Sequence, residues 1–173
     1  MALFIDNRFV PDPWRRLDAS EELPATGQIL MSPADWHRRA PLRAHTPPVL
    51  SNVAFGLMLE PDDPIEDIAP DLQHIALVTI LFPKFTDGRG YSMAQLIRGR
   101  FGFTGELRAT GDVLFDQLQL MARCGFNAFE ITDAVTIALL TSGRRPDFHH
   151  FYQPGAGHEV PVGTRPWARR PGE

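Results

Sequence analysis

The sequence has a single cysteine, Cys124, among its 173 residues. One thiol cannot form a disulfide within the chain, and it cannot hold an iron–sulfur cluster, which normally takes four thiolates. A secreted protein of this size usually carries an even set of cysteines, so the composition predicts a cytoplasmic protein. Cys124 lies between Arg123 and Gly125 and is either a reactive thiol or a small buried packing residue, which is the more common state.

The chain also has no excess of basic residues and no long apolar run. Its 17 Lys and Arg against 21 Asp and Glu give a net charge of −4. Nucleic-acid binding needs a basic surface that displaces counterions from phosphates, so this balance argues against it. No segment approaches about 18 consecutive apolar residues, which argues against a membrane span. Residues 1–6 do not have the charge and apolar pattern of a signal peptide.

The usual cofactor motifs are missing as well. The pair Gly88 and Gly90 lacks the third glycine of a dinucleotide-binding turn. There is no phosphate-binding Gly-Lys-Ser/Thr loop and no serine nucleophile elbow. The sequence therefore offers no evident cofactor for redox chemistry by this chain alone.

What the sequence does contain is a run of apolar strands alternating with amphipathic helices. Continuous apolar segments are typical of strands covered on both faces, and Val53 to Leu59 and Ile75 to Phe82 are two of them. Gly105 to Ala109 and Asn127 to Ile131 are the third and fourth predicted strands of this run. With Gln28 to Met31 they predict an α/β fold with flanking helices. Its sheet would be mostly parallel, with about five strands, and either open or curled like half of a (βα)-barrel.

The same patterns divide the chain into three parts. Residues 1–50 are expected to form an irregular segment with a hairpin, a short strand and a helix that packs on the core; Ser32 caps that helix and Pro33 begins it. Residues 51–142 form the α/β core. Residues 143–173 are expected to be an extended docked segment followed by a mobile tail rich in Gly, Pro and Arg.

The loop that follows the second core strand carries candidates for binding a small anion. Ligands of parallel α/β sheets bind beyond the carboxyl ends of the strands. Gly88 and Gly90 allow unusual backbone conformations, and Ser92 is expected to begin a helix whose amides face an anion. The candidate anion ligands are Lys84, Arg89, Tyr91, Ser92 and Arg108. The alternative is a tight, solvated loop in which Asp87 caps or pairs locally.

Further candidates end the neighbouring strands. Arg108 and Glu130 are expected to form an ion pair across adjacent strands, either as a structural pair or with Arg108 binding an oxyanion that Glu130 orients. Asp112 is more simply a helix cap. Glu60 ends the first core strand and is either a ligand or a plain strand-end acid. The catalytic candidates, without an assigned reaction, are Asp87, Arg108, Asp112 and Glu130.

Four segments carry a family resemblance: Phe82 to Ser92, Gly105 to Leu114, Asp116 to Leu118, and Met121 to Phe126. Over residues 52–131 the chain resembles domain-of-unknown-function family nine-three-four, whose bacterial members are commonly encoded beside sulfite reductase and labelled probable oxidoreductases of sulfite reduction. The resemblance implies a role in assimilatory sulfate reduction, with sulfite reductase or its electron donor as partner. Three hypotheses follow: an accessory protein that contacts the reductase or handles a small anion, a small oxidoreductase-type enzyme acting on a sulfur-containing or anionic substrate, or a binding module without a small-molecule site.

Overall fold

A computed structural model describes residues 1–39 and 52–146 of the chain. Residues 40–51 and most of the predicted C-terminal segment lie outside the described residues. The strands in the described part are β1 Ala2–Ile5, β2 Arg8–Val10, β3 Trp14–Arg16, β4 Gly27–Met31, β5 Val53–Leu59, β6 Leu77–Phe82, β7 Glu106–Gly111 and β8 Ala128–Ile131. The helices are α1 Pro33–Arg38, α2 Ile65–Ile68, α3 Arg89–Gln95, α4 Leu118–Cys124 and α5 Ala134–Thr141.

Three short turns of other helix types extend this list. α2 continues into a 3-10 helix at Ala69–His74, and α3 continues into a π-helical turn at Leu96–Arg100. A 3-10 turn at Phe115–Gln117 leads into α4. Ser32 caps α1 as predicted, since its side chain accepts a hydrogen bond from the amide of Asp35 and Pro33 follows it.

The α/β class is confirmed, but the predicted sheet of about five mostly parallel strands is wrong. The sheet has eight strands in the order β2-β1-β8-β7-β6-β5-β4-β3, and it is mixed. Strands β3 to β8 are parallel to one another, whereas β1 pairs antiparallel with both β8 and β2. The predicted hairpin therefore extends the sheet at one edge, and β3, which has no apolar run, extends it at the other.

The sheet is open and curled like a half-barrel, and the chain connectivity requires the curl. The edge strands β2 and β3 are joined only by residues 11–13. Such a link spans at most about 15 Å, whereas eight flat strands at about 4.8 Å spacing would hold the two edges about 34 Å apart. The two edges must therefore bend toward each other, with residues 11–13 crossing the open side.

The two faces of the curled sheet have different chemistry. The outer face carries the apolar core, because parallel strands connected in sequence order by right-handed crossovers place their helices on one side. Leu57, Ile80 and Leu107 lie on this face, fully buried against residues such as Ile97 and Met121. Burying each such side chain contributes roughly 1.5–3 kcal/mol.

The inner, concave face is more polar. Alternation along the strands places Thr79, Arg108, Thr110 and Glu130 on it. At its other end it is apolar and tightly packed: a Cβ at Gly56 would lie 2.9 Å from the side chain of Leu30 and 3.0 Å from that of Trp14. The polar side chains are therefore grouped toward the carboxyl ends of the strands.

Candidate functional site

A cavity of about 700 Å³ opens at the carboxyl edge of the parallel strands, on the concave face. Its walls come from β3 to β8 and the loops after them. Its apolar walls include Leu30, Met58 and Leu81. Its polar walls combine hydroxyl and charged side chains: Arg16, Ser32, Glu60, Asp63, Thr79, Thr110, Asp112, Glu130 and Thr132.

Beneath the cavity lies a buried arginine that three carboxylates share. Arg108 on β7 is 1% exposed. Its Nη1 and Nη2 donate to the two carboxylate oxygens of Asp12 at 2.7 and 3.2 Å, and its Nε donates to Glu106 at 2.8 Å. Glu130 Oε2 lies 3.8 Å from Nη1, so the predicted Arg108–Glu130 ion pair is confirmed. The nearer partner, Asp12, was missed because it precedes Arg108 by 96 residues.

The electrostatics of this group follow from burial and charge. Burial alone would lower the pKa of Arg108, but the hydrogen bonds to Asp12 and Glu106 outweigh it and raise that pKa. Burial raises the pKa of Glu130, although the nearby Arg108 acts to lower it. Unlike Asp12 and Glu106, the Glu130 carboxylate receives no hydrogen bond from the described residues and borders the cavity. A half-buried carboxyl with a raised pKa in a cleft is a candidate acid or base.

The loop before α3 is built differently from its sequence interpretation. α3 begins at Arg89, so Ser92 lies inside the helix and the prediction that it begins the helix is wrong. Neither Gly88 nor Gly90 has a positive φ. Gly90 is required for space instead, because a Cβ there would lie 2.6 Å from the ring of Phe82. Gly90 is therefore needed for the close packing of α3 on the end of β6.

The predicted anion ligands do not assemble around the cavity. Arg89 donates to both carboxylate oxygens of Asp87 and pairs with Asp62, and the hydrogen bond from Arg89 lowers the pKa of Asp87. Tyr91 packs edge-on against Phe82, and burial raises its pKa. Lys84 is exposed on the loop.

Asp112 lines the cavity but does not cap a helix, which corrects its predicted role. Its Oδ2 accepts a hydrogen bond from the amide of Phe85 at 2.8 Å, which ties the loop after β6 to the end of β7. Gln117 strengthens the same tie, because its side chain donates to the carbonyl of Phe85 at 2.7 Å. The rim of the cavity is therefore held by hydrogen bonds between loops.

Cys124 is buried in the last turn of α4, and burial raises the pKa of its thiol, which is typical of a packing residue. The described residues contain no group of three or more His, Cys, Asp or Glu arranged to hold a metal ion. No helix within the described ranges is long and apolar enough to cross a bilayer.

Comparisons with known proteins identify the family. No curated protein and no solved structure matches the chain significantly. One family model matches residues 56–163, a region that contains the end of β5, all of β6 to β8 and most of the cavity walls. The chain therefore belongs to the family described as bacterial protein of unknown function (DUF934).

Proposed function

We propose that this chain is an accessory protein of assimilatory sulfate reduction that acts with sulfite reductase in the cytoplasm. The pathway and partner come from the resemblance of residues 52–131. The observation that supports a working site is the cavity at the carboxyl ends of the parallel strands. This edge is where α/β sheets bind their ligands, and small-molecule sites are commonly about 300–1,000 Å³.

The cavity and its rim are the proposed working surface. They combine apolar walls with a few convergent polar groups, which is the usual composition of a binding site. The loop with Lys84 and Arg89 stays a second, predicted anion-binding surface. Arg89 already has two carboxylate partners, so an anion there would compete with Asp87 and Asp62.

Growth of a strain that lacks the gene for this chain tests both the proposed pathway and the proposed step, the reduction of sulfite. The strain should fail on sulfate and on sulfite as sole sulfur source, and should grow on sulfide. This pattern would assign the defect to sulfite reduction. Growth on sulfite, or failure on sulfide, would contradict the proposal. In parallel, the tagged chain should co-purify with sulfite reductase from sulfate-grown cells.

Two neighbouring arginines give a matched test of the cavity. Arg16 borders the cavity, whereas Arg15, the preceding residue of β3, pairs with Glu21 outside it. We expect Arg16→Ala to fail in restoring growth on sulfate and Arg15→Ala to restore it. If both variants restore growth, the cavity is not the working surface, and the binding-module alternative gains support.

The second candidate is a small enzyme acting on a sulfur-containing or anionic substrate at the same edge. The Glu130 carboxyl favours it, because a raised pKa and the lack of a hydrogen-bond donor suit proton transfer. An enzyme should lose growth on sulfate with Glu130→Gln while keeping its association with sulfite reductase. An accessory protein that docks through the cavity should lose growth on sulfate and the association together.

A further inference from the structure

The cavity has an excess of negative charge. Glu60, Asp63, Asp112 and Glu130 line it, and Arg16 is the basic lining residue among the described residues. A small dianion such as sulfite would meet more repulsion than attraction here, because like charges in a partly desolvated site interact strongly. A positively charged ligand would be attracted.

The arginine beneath the floor does not reverse this balance. Arg108 could offset Glu130, but Asp12 and Glu106 already take its hydrogen-bond donors. One guanidinium thus serves three carboxylates, and Glu130 has the longest contact with it, at 3.8 Å. The Glu130 carboxylate can therefore still accept a hydrogen bond from a cationic group in the cavity.

An independent feature of the wall also points to a ligand. Thr79 on β6 is 3% exposed, its side chain lies on the concave face beside the cavity, and no hydrogen bond joins its hydroxyl to another described residue. The neighbouring Thr110 differs, because its hydroxyl can donate to the carbonyl of Ile80 at 3.4 Å. The Thr79 hydroxyl is thus free to donate to a ligand in the cavity.

We propose that the cavity binds a small organic cation, with its ammonium or amidinium group against Glu130 and an acceptor atom against the Thr79 hydroxyl. The inference rests on the proposed function only in taking this cavity as the working surface. It assigns the ligand class: an amine-bearing molecule rather than the sulfite ion. The apolar side chains of Leu30, Met58 and Leu81 would contact the carbon skeleton of the ligand.

Three probes of similar size and different charge test the ligand class. Tyramine carries an ammonium group, tyrosol an uncharged hydroxyl and 4-hydroxyphenylacetate a carboxylate, and each has a phenol oxygen that can accept from Thr79. Titrations of the full chain by calorimetry and by amide NMR should show tyramine binding about tenfold tighter than tyrosol, as expected for one charge-assisted hydrogen bond. The amides of Thr79 and Glu130 should shift, and 4-hydroxyphenylacetate and sulfite should not saturate.

Variants then test the two contacts. Glu130→Gln should weaken tyramine about tenfold and leave tyrosol nearly unchanged, and Thr79→Val should weaken both about threefold or more. Glu66→Gln is the control, because Glu66 is exposed on α2 and pairs with Arg100 away from the cavity. Unchanged tyramine affinity in either cavity variant, tighter binding of an anion, stoichiometric displacement by Mg²⁺, or no saturation by tyramine would each overturn the inference. Failure here with the Arg16→Ala growth defect intact would leave the proposed function standing.

Discussion

Replacing Arg108 by methionine would remove the cation that three carboxylates share on the concave face. Methionine keeps much of the side-chain length and volume, so the change tests charge rather than packing. Removing one partner of a buried ion pair costs about 3–5 kcal/mol, because the remaining charge stays desolvated. Asp12, Glu106 and Glu130 keep 20–27% side-chain exposure, which favours the lower end. We expect Arg108→Met to lower the free energy of unfolding by about 3 kcal/mol at neutral pH.

The stability lost in Arg108→Met should be smaller at acidic pH, because the variant's folded state binds protons more tightly than its unfolded state. Without Arg108, the folded carboxylates repel one another, so the folded chain binds protons more tightly than the unfolded chain. The stability of the variant then rises as the pH falls toward about 5. Urea unfolding followed by circular dichroism at both pH values measures this difference, with Arg100→Met, at an exposed pair with Glu66, as a control that changes stability by less than about 0.5 kcal/mol.

A second substitution, Asp12→Asn, tests the same charge interaction by comparing two backgrounds, so the result does not depend on the absolute stability of Arg108→Met. In the natural chain, Asp12→Asn weakens the bidentate contact with Arg108 and should cost about 1–2 kcal/mol. In the Arg108→Met background it removes a repelling charge and should restore about 1 kcal/mol. The reasoning fails if Asp12→Asn destabilises both backgrounds equally, or if Arg108→Met costs less than about 1 kcal/mol.

Three further predictions concern other parts of the fold. Glu130→Gln should raise stability at neutral pH, because burial raises the pKa of this carboxyl and its ionised form opposes folding; the gain should vanish below the ordinary value of 4.5, where folded and unfolded chains are both protonated. Gly111→Ala should cost about 2 kcal/mol or more in urea unfolding, since φ is +89° and the Cβ would lie 2.4 Å from the Phe82 carbonyl, whereas Gly27→Ala, with φ +121° and open space, should cost less. Cys124 should react with a thiol reagent about a hundredfold more slowly in the folded chain than in denaturant, and equal rates would contradict its burial.

The strands that the sequence predicts are those whose packing shows in their own composition. β5 and β6 are covered on both faces, so they appear as continuous apolar runs, and β5 keeps the predicted bounds Val53–Leu59. β3 is an edge strand of three residues, and both Arg15 and Arg16 are exposed. It pairs only with β4, so no local pattern marks it. The hairpin is visible locally, but its pairing with β8 is a long-range contact that the local pattern does not reveal.

The candidate site was also predictable from the sequence only in part. Arg108 and Glu130 lie on consecutive parallel strands, so sequence order alone predicts their contact. Asp12 reaches Arg108 only because the sheet curls and residues 11–13 cross its concave side, a consequence of the whole topology. The glycines near Arg89 were interpreted as backbone freedom, whereas Gly90 is set by the ring of Phe82. Glu130 was among the catalytic candidates, but its lack of a hydrogen bond depends on which donors Arg108 has left.

The most direct test of the edge cavity as the working surface is growth on sulfate of a deletion strain carrying Glu130→Gln. The same substitution is expected to stabilise the folded chain at neutral pH, so a growth defect cannot be explained by unfolding. The account predicts no growth on sulfate and normal growth on sulfide. Normal growth on sulfate with this variant would contradict it.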